Sequence, residues 1–237
     1  MDLMPNERPS QSPLIECVWS SRTEQAGEFI SIAGNYPDLV ITKRKGTMRI
    51  TMRGPETKAS PAFAPDDAEF VGILFKVGTF LQNLPIPTLV DCDIDFPQGA
   101  FQSFWLNGST WEVPTYENAD TFVDRLVREG LLVHDPIVDT VLRDEPHDLS
   151  LRTAQRRFLN ATGLTHTTVR QIERARQATM LLKQGTSILD TVFETGYFDQ
   201  PHLTRSLKQY IGLTPAQIMD QGREERLSFL YNTDPLE

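Results

Sequence analysis

The sequence contains few of the residues that bind metals or form disulfides. Among its 237 residues are two cysteines, Cys17 and Cys92, which lie far apart in the chain. All four histidines follow residue 115: His134, His147, His166 and His202. A metal-dependent barrel enzyme needs several histidines, usually with a carboxylate, around one ion. The first 115 residues therefore exclude a histidine-metal active site, and the cysteines are expected to be small buried hydrophobic residues rather than a disulfide.

Long hydrophobic runs are missing as well. No apolar stretch approaches the length of a membrane span, and residues 1–10 lack the basic-then-apolar pattern of a signal peptide. The mean hydropathy is −0.32. No nucleophile motif or phosphate-binding loop is found either. We therefore expect a soluble cytoplasmic protein that has no membrane partner, no catalytic residues, no bound metal and no cofactor.

Three aspartates alternate at Asp91, Asp93 and Asp95. Alternating carboxylates occur in calcium-binding loops, but the glycine and the distal glutamate of an EF-hand loop are missing here. Such carboxylates also occur on solvated strand edges and turns, and this second interpretation is the one we adopt.

The net charge of −9 is unevenly distributed along the chain. Residues 1–149 contain 12 Lys and Arg against 23 Asp and Glu, and an acidic tail at 223–237 contains two against four. Residues 150–222 instead contain nine Lys and Arg against five Asp and Glu. A basic segment suits contact with the phosphates of a nucleic acid, although a charged run is often only a solvated surface.

The first half of the chain has the pattern of short β-strands. Residues 1–13 are rich in Pro, Asn, Ser and Gln and are expected to form a flexible arm. Strand-like runs follow at 29–33, 39–42, 47–52 and 69–75, with Gly, Pro and Asn between them. This spacing predicts a small β sandwich or barrel over residues 14–116. Its many aromatic side chains suit the wall of a small-molecule pocket, but the sequence does not select which of them would bind an effector.

Residues 150–222 contain two copies of one helical pattern, at an offset of 49 residues. The matched positions are Ser150 and Asp199, Arg156 and Arg205, Phe158 and Leu207, and Gly163 and Gly212. Ser and Asp are typical first caps of a helix, because their side chains accept hydrogen bonds from the free N–H groups of the first turn. A glycine after the helix supplies its left-handed exit. The pattern therefore predicts a helical repeat of two copies.

Three helices are predicted from residue 168 to residue 210, and the last of them belongs to the second copy of the repeat. A long helix at 168–184 has an apolar stripe formed by Val169, Ile172, Ala175 and Leu182. Two shorter helices follow at 187–195 and 200–210, with a turn at Gly196. The apolar face of the first of these is expected to comprise Ile188, Leu189, Val192 and Phe193. The long helix would measure about 26 Å, which could set two reading helices roughly one turn of DNA apart.

Residues 185–215 read GTSILDTVFETGYFDQPHLTRSLKQYIGLTP. This stretch resembles the signature of AraC-type (AraC/XylS) bacterial transcription regulators, with Tyr197 and Leu207 where the family pattern has phenylalanine. The resemblance covers about a third of the chain. It implies a monomeric DNA-binding unit of seven helices that reads two adjacent major grooves, preceded by a jelly-roll or cupin-like effector domain. The expected fold class is α+β, with a β-rich barrel or sandwich followed by an all-α double helix-turn-helix domain.

The segment between the two regions is expected to complete the first helix-turn-helix unit. Helices are predicted at 118–133 and from Asp135-Pro136 onward, with 150–160 as the reading helix. The link at 145–149 contains a proline and lacks the glycine turn of the second copy, so part of 118–133 has the alternative role of a dimer helix. The predicted boundaries are 14–116 for a β-rich effector or dimerisation domain and 117–222 for the DNA-binding domain. The latter is divided into a first unit at 118–163, a linker helix at 168–184 and a second unit at 187–212.

Reading helices that enter the major groove present positions three and four apart to the bases. In the first copy these positions hold Arg152, Gln155 and Arg156, with Arg157 on the flank. In the second copy they hold Gln200, Pro201, Thr204 and Arg205, with His202 and Lys208 on the flank. Arginine reads guanine and glutamine reads adenine through paired hydrogen bonds, whereas the flanking cations suit phosphates or are merely solvated. For His202 the alternative is packing between helices, and Arg170 and Arg174 of the linker helix are further candidates for backbone contact.

The leading hypothesis is a transcription regulator that binds operator or promoter DNA and responds to a small-molecule effector. RNA polymerase and a second copy of the chain are its further candidate partners. One alternative is a DNA-binding protein that needs no ligand. Another is a DNA-binding module fused to an enzymatic barrel, as in alkylation-repair regulators with the same motif. Those regulators need a zinc cluster of four cysteines, which this chain cannot build.

Overall fold

The chain folds into a β-rich region followed by a helical region, in a computed structural model that describes residues 6–220. The strands are β1 (Asn6–Arg8), β2 (Ile15–Thr23), β3 (Gly27–Ser31), β4 (Asp38–Arg44), β5 (Thr47–Arg53), β6 (Ser60–Ala64), β7 (Ala68–Phe75), β8 (Thr79–Leu81), β9 (Asp93–Asp95), β10 (Ser103–Leu106), β11 (Ser109–Glu112) and β12 (Leu132–His134). The helices are α1 (Ala119–Arg128), α2 (Ile137–Leu142), α3 (Leu151–Thr162), α4 (His166–Lys183), α5 (Ile188–Glu194), α6 (Gln200–Tyr210) and α7 (Pro215–Met219), with a 3-10 turn at Ile86–Thr88. This order confirms the predicted α+β class.

A six-stranded antiparallel sheet forms the centre of the β-rich region, in the order β1-β2-β7-β4-β5-β9. The strand pairs β3–β6, β8–β12 and β10–β11 surround it. Because side chains alternate along a strand, Leu39 and Ile41 of β4 face one side of the sheet and Val40 faces the other. The strand Asp93–Asp95 lies at the sheet edge, which confirms the strand-edge interpretation of the alternating aspartates.

The two faces of the sheet are covered differently. The first face packs against β10, β11 and α1, whose Phe104, Trp111 and Phe122 join the apolar core. The second face has a smaller apolar cluster and looks onto the β3–β6 pair across a cavity. The four predicted strand runs all fall on strands of this region, β3, β4, β5 and β7.

The expected flexible arm at 1–13 differs from the structure in its described part, residues 6–13. Strand β1 pairs with β2, and Arg8 donates hydrogen bonds to the carbonyl oxygen of Tyr116 at 2.7 and 3.0 Å. The same guanidinium forms an ion pair with Asp120 at 2.7 Å. These contacts hold the segment against the start of α1, and they join residues more than 100 positions apart, which local composition does not reveal.

The helix predicted at 118–133 is wrong after residue 128, and it does not pack with the first helix-turn-helix unit as predicted. Helix α1 ends at Arg128, Gly130 adopts a φ of 68°, and residues Leu132–His134 pair with β8 as strand β12. The buried side chains of α1 lie in the core of the β-rich region. The first helix-turn-helix unit is therefore formed by α2 and α3 without α1, and the domain boundary at 116/117 stays a prediction.

The helical region has the predicted caps. The side chains of Ser150 and Asp199 accept hydrogen bonds from the backbone N–H groups of Thr153 and His202. Gly163 and Gly212 end the two reading helices with φ values of 72° and 82°. The repeat continues one step further, because the matched residues Thr165 and Thr214 cap α4 and α7. These observations confirm the two-copy repeat.

The two regions share one apolar core. Ile32, Ala33 and Val77 of the β-rich region pack with the buried apolar side chains of α2, α3, α4, α6 and α7. The backbone N–H groups of Ala33 and Ala59 donate to the carbonyl oxygens of Tyr210 and Gln209, at 2.7 and 2.8 Å. The C-terminal end of α6 is thus bound by main-chain hydrogen bonds to the β-rich region. Over residues 6–220, no helix has the length and apolar character that a membrane span needs.

Candidate nucleic-acid interface

Helix α3 presents a continuous exposed face that contains three of the predicted base-reading residues. Its buried side includes Ala154, Phe158 and Ala161, which belong to the shared core. The exposed side includes Leu151, Arg152, Gln155, Arg156, Leu159 and Asn160. Positions 151, 155 and 159 follow one another at helical spacing, and positions 152 and 156 lie beside them. The structure therefore brings Arg152, Gln155 and Arg156 together on one surface.

Helix α6 presents the matching face of the second copy. Leu203, Leu207 and Tyr210 are buried, and Thr204 is half-buried. The exposed predicted residues are Gln200, Pro201, Arg205 and Lys208. His202 is half-buried, and its ring lies edge-on to Tyr197 with 5.1 Å between the ring centres. His202 therefore packs within the second unit, in agreement with the packing role that the sequence offers as its alternative.

The arginines of the helical region divide into two groups. Arg152, Arg156 and Arg205 form no ion pair or side-chain hydrogen bond with residues 6–220. Arg170 instead forms an ion pair with Asp144 at 2.9 Å and donates to the carbonyl oxygen of Leu142. The first group lies on the exposed faces of α3 and α6, so its cations remain available to an external partner.

Arg157 and Arg174 belong to the second group. The Nε and Nη2 atoms of Arg157 donate to Asp135 at 3.0 and 2.5 Å, and this ion pair raises the pKa of Arg157. The guanidinium of Arg174 lies 5.5 Å from the centre of the Tyr197 ring. Both residues therefore hold parts of the helical region together, in addition to the DNA contacts predicted for them.

The turns between the helices differ in the two units. Residues 143–150 connect α2 to α3, whereas the shorter segment 195–199 connects α5 to α6. Near its start, the first link has Asp144 in a left-handed conformation, φ 53°. The second contains Gly196, φ 68°, as predicted. In the first unit, α2 is thus connected to the reading helix α3 by a link that is longer and more charged than the link in the second unit.

The predicted apolar face of α5 is only half correct. Ile188 and Val192 pack against the shared core. Leu189 and Phe193, by contrast, are 71% and 87% exposed. Positions 188 and 192 lie four residues apart on one stripe, and positions 189 and 193 lie on the neighbouring stripe, rotated by about 100°. A helix of seven residues that packs on one side leaves this second stripe in solvent.

A cavity of about 320 Å³ lies between the central sheet and the β3–β6 pair. Its walls include the aromatic residues Trp19, Phe29, Tyr36, Phe63 and Phe70. Charged groups of both signs also line it: Asp38, Glu56, Asp93, Arg49, Arg53 and Arg176. Burial raises the pKa of Asp38 to about 6, against the opposing effect of Arg53. This amphipathic lining suits a small organic molecule that carries polar groups.

Arg176 was not predicted from the sequence, and it belongs to α4 rather than to the β-rich region. It is 5% exposed, and its guanidinium lies 5.8 Å from the centre of the Tyr36 ring. Glu173, about one turn earlier, accepts a hydrogen bond from the side-chain amide of Asn35, and burial raises its pKa. The spacing of four residues from Ile172 to Arg176 was the available signal that Arg176 borders the buried stripe. Through these residues α4 forms part of the cavity wall.

The cysteines and the metal-binding residues do not form a site in the part of the chain that the structure describes. Cys17 and Cys92 are both free. Cys17 is buried as expected, and burial raises its pKa to about 12, whereas Cys92 is exposed, contrary to expectation. No three His, Cys, Asp or Glu side chains of residues 6–220 lie close enough together to hold a metal ion.

Comparisons with known proteins agree with the interpretation of the helical region. No curated protein matches the sequence. The crystal structure of an apo lysine-to-alanine variant of ToxT from Vibrio cholerae strain SCE256 aligns with 90% of this chain and 98% of its own, at 8% identity and a TM-score of 0.37. A TM-score of this size carries no conclusion about this chain. Residues 147–221, in contrast, match the family model of a helix-turn-helix domain. This segment is therefore a helix-turn-helix domain, in agreement with the two helix-turn-helix units predicted from the sequence.

Proposed function

We propose that the protein recognises specific DNA sequences by placing α3 and α6 in two adjacent segments of the major groove. The observation that carries this proposal is the matched pair Arg156 and Arg205. Both lie on the exposed face of a reading helix, and neither has a side-chain partner within residues 6–220. An arginine without such a partner is available for the paired hydrogen bonds to the O6 and N7 atoms of guanine.

The remaining contacts follow from the same two faces. Arg152, Gln155, Gln200, Pro201 and Thr204 would lie against base edges, with Gln155 suited to adenine. Lys208 would contact a phosphate, since it lies on the exposed side of the last turns of α6. Arg157 uses its Nε and Nη2 atoms for Asp135, which leaves Nη1 for a phosphate. Arg157 would thus contact a DNA phosphate and Asp135, just before α2, at the same time.

The test is selection of binding sites from randomised double-stranded DNA with the full chain, followed by affinity measurements across a salt series. Arg156→Ala and Arg205→Ala are each expected to weaken binding to the selected site by about 1–3 kcal/mol, roughly 5- to 150-fold, and to relax base preference in one half of it. The two halves should differ between the variants, because each arginine lies on a different reading helix.

Arg128→Ala is the matched control, because Arg128 is exposed on α1, away from both reading helices. It should leave the affinity for the selected site unchanged. If only Arg205→Ala relaxes base preference, the first unit does not read bases. If the wild-type chain selects no sequence above its non-specific level, the proposed sequence-specific function is wrong.

We further propose that a small molecule in the cavity between the sheet and the β3–β6 pair alters DNA binding. Two features support this. Arg176 of α4 forms part of the cavity wall. Ile30 of β3 packs against Gly212 at the end of α6, and Ala33 and Ala59 donate main-chain hydrogen bonds to that end. A molecule that displaces these elements would change the position of the second reading helix relative to the first.

An effector is expected to raise the melting temperature of the full chain and to change its affinity for the selected DNA. Ala62→Trp, which would place a large ring at the cavity wall, should abolish both responses to the molecule. If molecules that fit the cavity bind without any change in DNA affinity, the ligand-independent alternative is correct. RNA polymerase, a homodimer and a cytoplasmic location stay predictions.

A further inference from the structure

An exposed apolar side chain lies at the N-terminal end of each reading helix. Leu151 is the first residue of α3 and is 71% exposed. Phe198 immediately precedes Asp199, the cap of α6, and is 90% exposed. Neither residue belongs to the base-reading set predicted from the sequence.

Leu151 lies on a surface that contains both polar and apolar side chains, and it does not belong to the buried side of α3. The apolar residues that anchor α3 in the core are Ala154, Phe158 and Ala161. Leu151 lies on the opposite side, four residues before Gln155 and beside Arg152. The face of α3 that would meet DNA therefore combines hydrogen-bonding groups with an aliphatic side chain at the end that enters the groove first.

Phe198 lies at the same end of the second reading helix, one residue before the cap Asp199, whereas Leu151 lies one residue after the cap Ser150. The Asp199 side chain accepts a hydrogen bond from the N–H group of His202, which fixes the backbone next to Phe198. Tyr197, its other neighbour, is 7% exposed and packs inward. The chain therefore turns one aromatic ring into the protein and the next one out, at the start of the helix that carries Arg205.

Base edges in the major groove offer one apolar group, the C5 methyl of thymine. Arginine and glutamine can form hydrogen bonds with base edges there. A leucine or phenylalanine side chain can make an apolar contact only with this methyl group. We propose that Leu151 and Phe198 are specificity-determining residues that each contact a thymine methyl group, one in each half of the binding site. This inference rests on the proposed function, since it requires α3 and α6 to read DNA.

The test replaces each thymine of a selected site, one at a time, with deoxyuridine, which pairs with adenine but lacks the methyl group. For the wild-type chain, a replacement in each half is expected to weaken binding about fourfold, the effect of losing one buried methyl group. In Leu151→Ala this penalty should disappear in one half, and in Phe198→Ala it should disappear in the other. The unmodified site should bind each variant more weakly than it binds the wild type.

Matched controls are available on α5. Leu189 has the same 71% exposure as Leu151, and Phe193, at 87%, is close to Phe198. Leu189→Ala and Phe193→Ala should keep the full deoxyuridine penalty in both halves. Melting temperatures of all four variants should stay near the wild-type value, because each side chain is mostly in solvent.

The possible results separate this inference from the function on which it rests. Selected sites that bind equally well with deoxyuridine, or that contain no preferred thymine, overturn the methyl contact and leave sequence-specific binding intact. A penalty that persists in Leu151→Ala and Phe198→Ala assigns the methyl contact to other residues and also overturns the inference. Failure to select any site overturns the proposed function, and the inference with it.

Discussion

The first and second helix-turn-helix units share one backbone plan but are held together by different chemistry. In the first, Arg157 of α3 forms an ion pair with Asp135, just before α2. At the matching position of α6, 49 residues later, stands Ser206, whose hydroxyl shares a hydrogen bond of 2.7 Å with the hydroxyl of Tyr197. The same position of the reading helix thus contacts another part of its own unit in both cases. The contact is an ion pair in the first unit and a hydrogen bond between neutral hydroxyls in the second.

The links between the helices also differ in their chemistry. The link 143–150 is long and carries Asp144, which pairs with Arg170 of α4. The link 195–199 is short, and its Tyr197 packs into the unit beneath the guanidinium of Arg174. A charged link is fixed by ion pairs that solvent partly screens, whereas a compact aromatic link is fixed by packing and a partly buried hydrogen bond. The first unit should therefore respond more strongly to salt and to pH than the second.

The largest expected effect concerns what the two units have in common, the glycine after each reading helix. An added Cβ would lie 2.8 Å from Val90 at Gly163 and 2.9 Å from Ile30 at Gly212, and both φ values are positive. We expect Gly163→Ala and Gly212→Ala each to lower the free energy of unfolding by about 2–4 kcal/mol, through backbone strain and displaced neighbours. Urea unfolding monitored by circular dichroism measures this loss.

Gly196 supplies the control for these two variants. It has a φ of 68°, but no other group lies within 4 Å of the position that an added Cβ would take. Gly196→Ala should therefore show only the backbone strain, about 1–2 kcal/mol. Equal losses at all three glycines would mean that the ends of the reading helices are not tightly packed against the β-rich region, and the shared-core description would be wrong.

The next prediction separates the two units through their matched contacts. Arg157→Ala should lower the free energy of unfolding only slightly at low salt, because the arginine side chain is 42% exposed and solvent weakens its ion pair. This loss should shrink in about 1 M NaCl, where the screening length is about 3 Å. Ser206→Ala should cost about 1 kcal/mol at either salt concentration, since it removes a neutral hydrogen bond. Salt dependence of the same size in both variants would contradict the comparison.

The features that the two units share could be predicted from the sequence better than the contacts in which they differ. Caps such as Ser150 and Asp199 and exits such as Gly163 and Gly212 act on adjacent backbone, so their residue types alone specify the helix ends. The ion pair of Arg157 with Asp135 joins separate elements, and no local pattern announces it. The same limit explains the exposed Leu189 and Phe193, because periodicity defines an apolar stripe but not how much of it a short helix buries.

The errors at the boundary between the regions have a related cause. Leu132 and Val133 are the last two residues of the helix predicted at 118–133, yet with His134 they form a strand pair with β8, about 50 residues earlier. Arg176 borders an apolar stripe and would be expected in solvent, but the cavity in the β-rich region receives its side chain. The structure at these positions is determined by strand pairing and packing between distant segments. Such contacts depend on the surface of the folded partner and not on the local residues alone.

The smallest expected effect is a pH dependence specific to the first unit. His166 follows the cap of α4 and packs edge-on to Phe158, with 5.7 Å between the ring centres, and Pro215 occupies the matching position after the second unit. Burial lowers the pKa of His166, and the neighbouring Arg170 guanidinium lowers it further, against a weaker opposite effect of Asp144. Because the unfolded chain then binds a proton more readily than the folded one, stability that is present above pH 6.5 should be lost as the pH falls below 6.5, toward the lower pKa of the folded state.

The loss between about pH 7.5 and 5.5 should be less than about 1 kcal/mol, since solvent screens a histidine that is only partly buried. His166→Gln removes the titrating group and should flatten this part of the profile, measured as the difference in urea unfolding free energy between wild type and variant at each pH. Pro215 provides no titrating group, so the second unit contributes nothing comparable at its matched position. A wild-type and a His166→Gln profile that run parallel across this range would show that the first unit has no such sensitivity, and the contrast between the two units would then rest on salt alone.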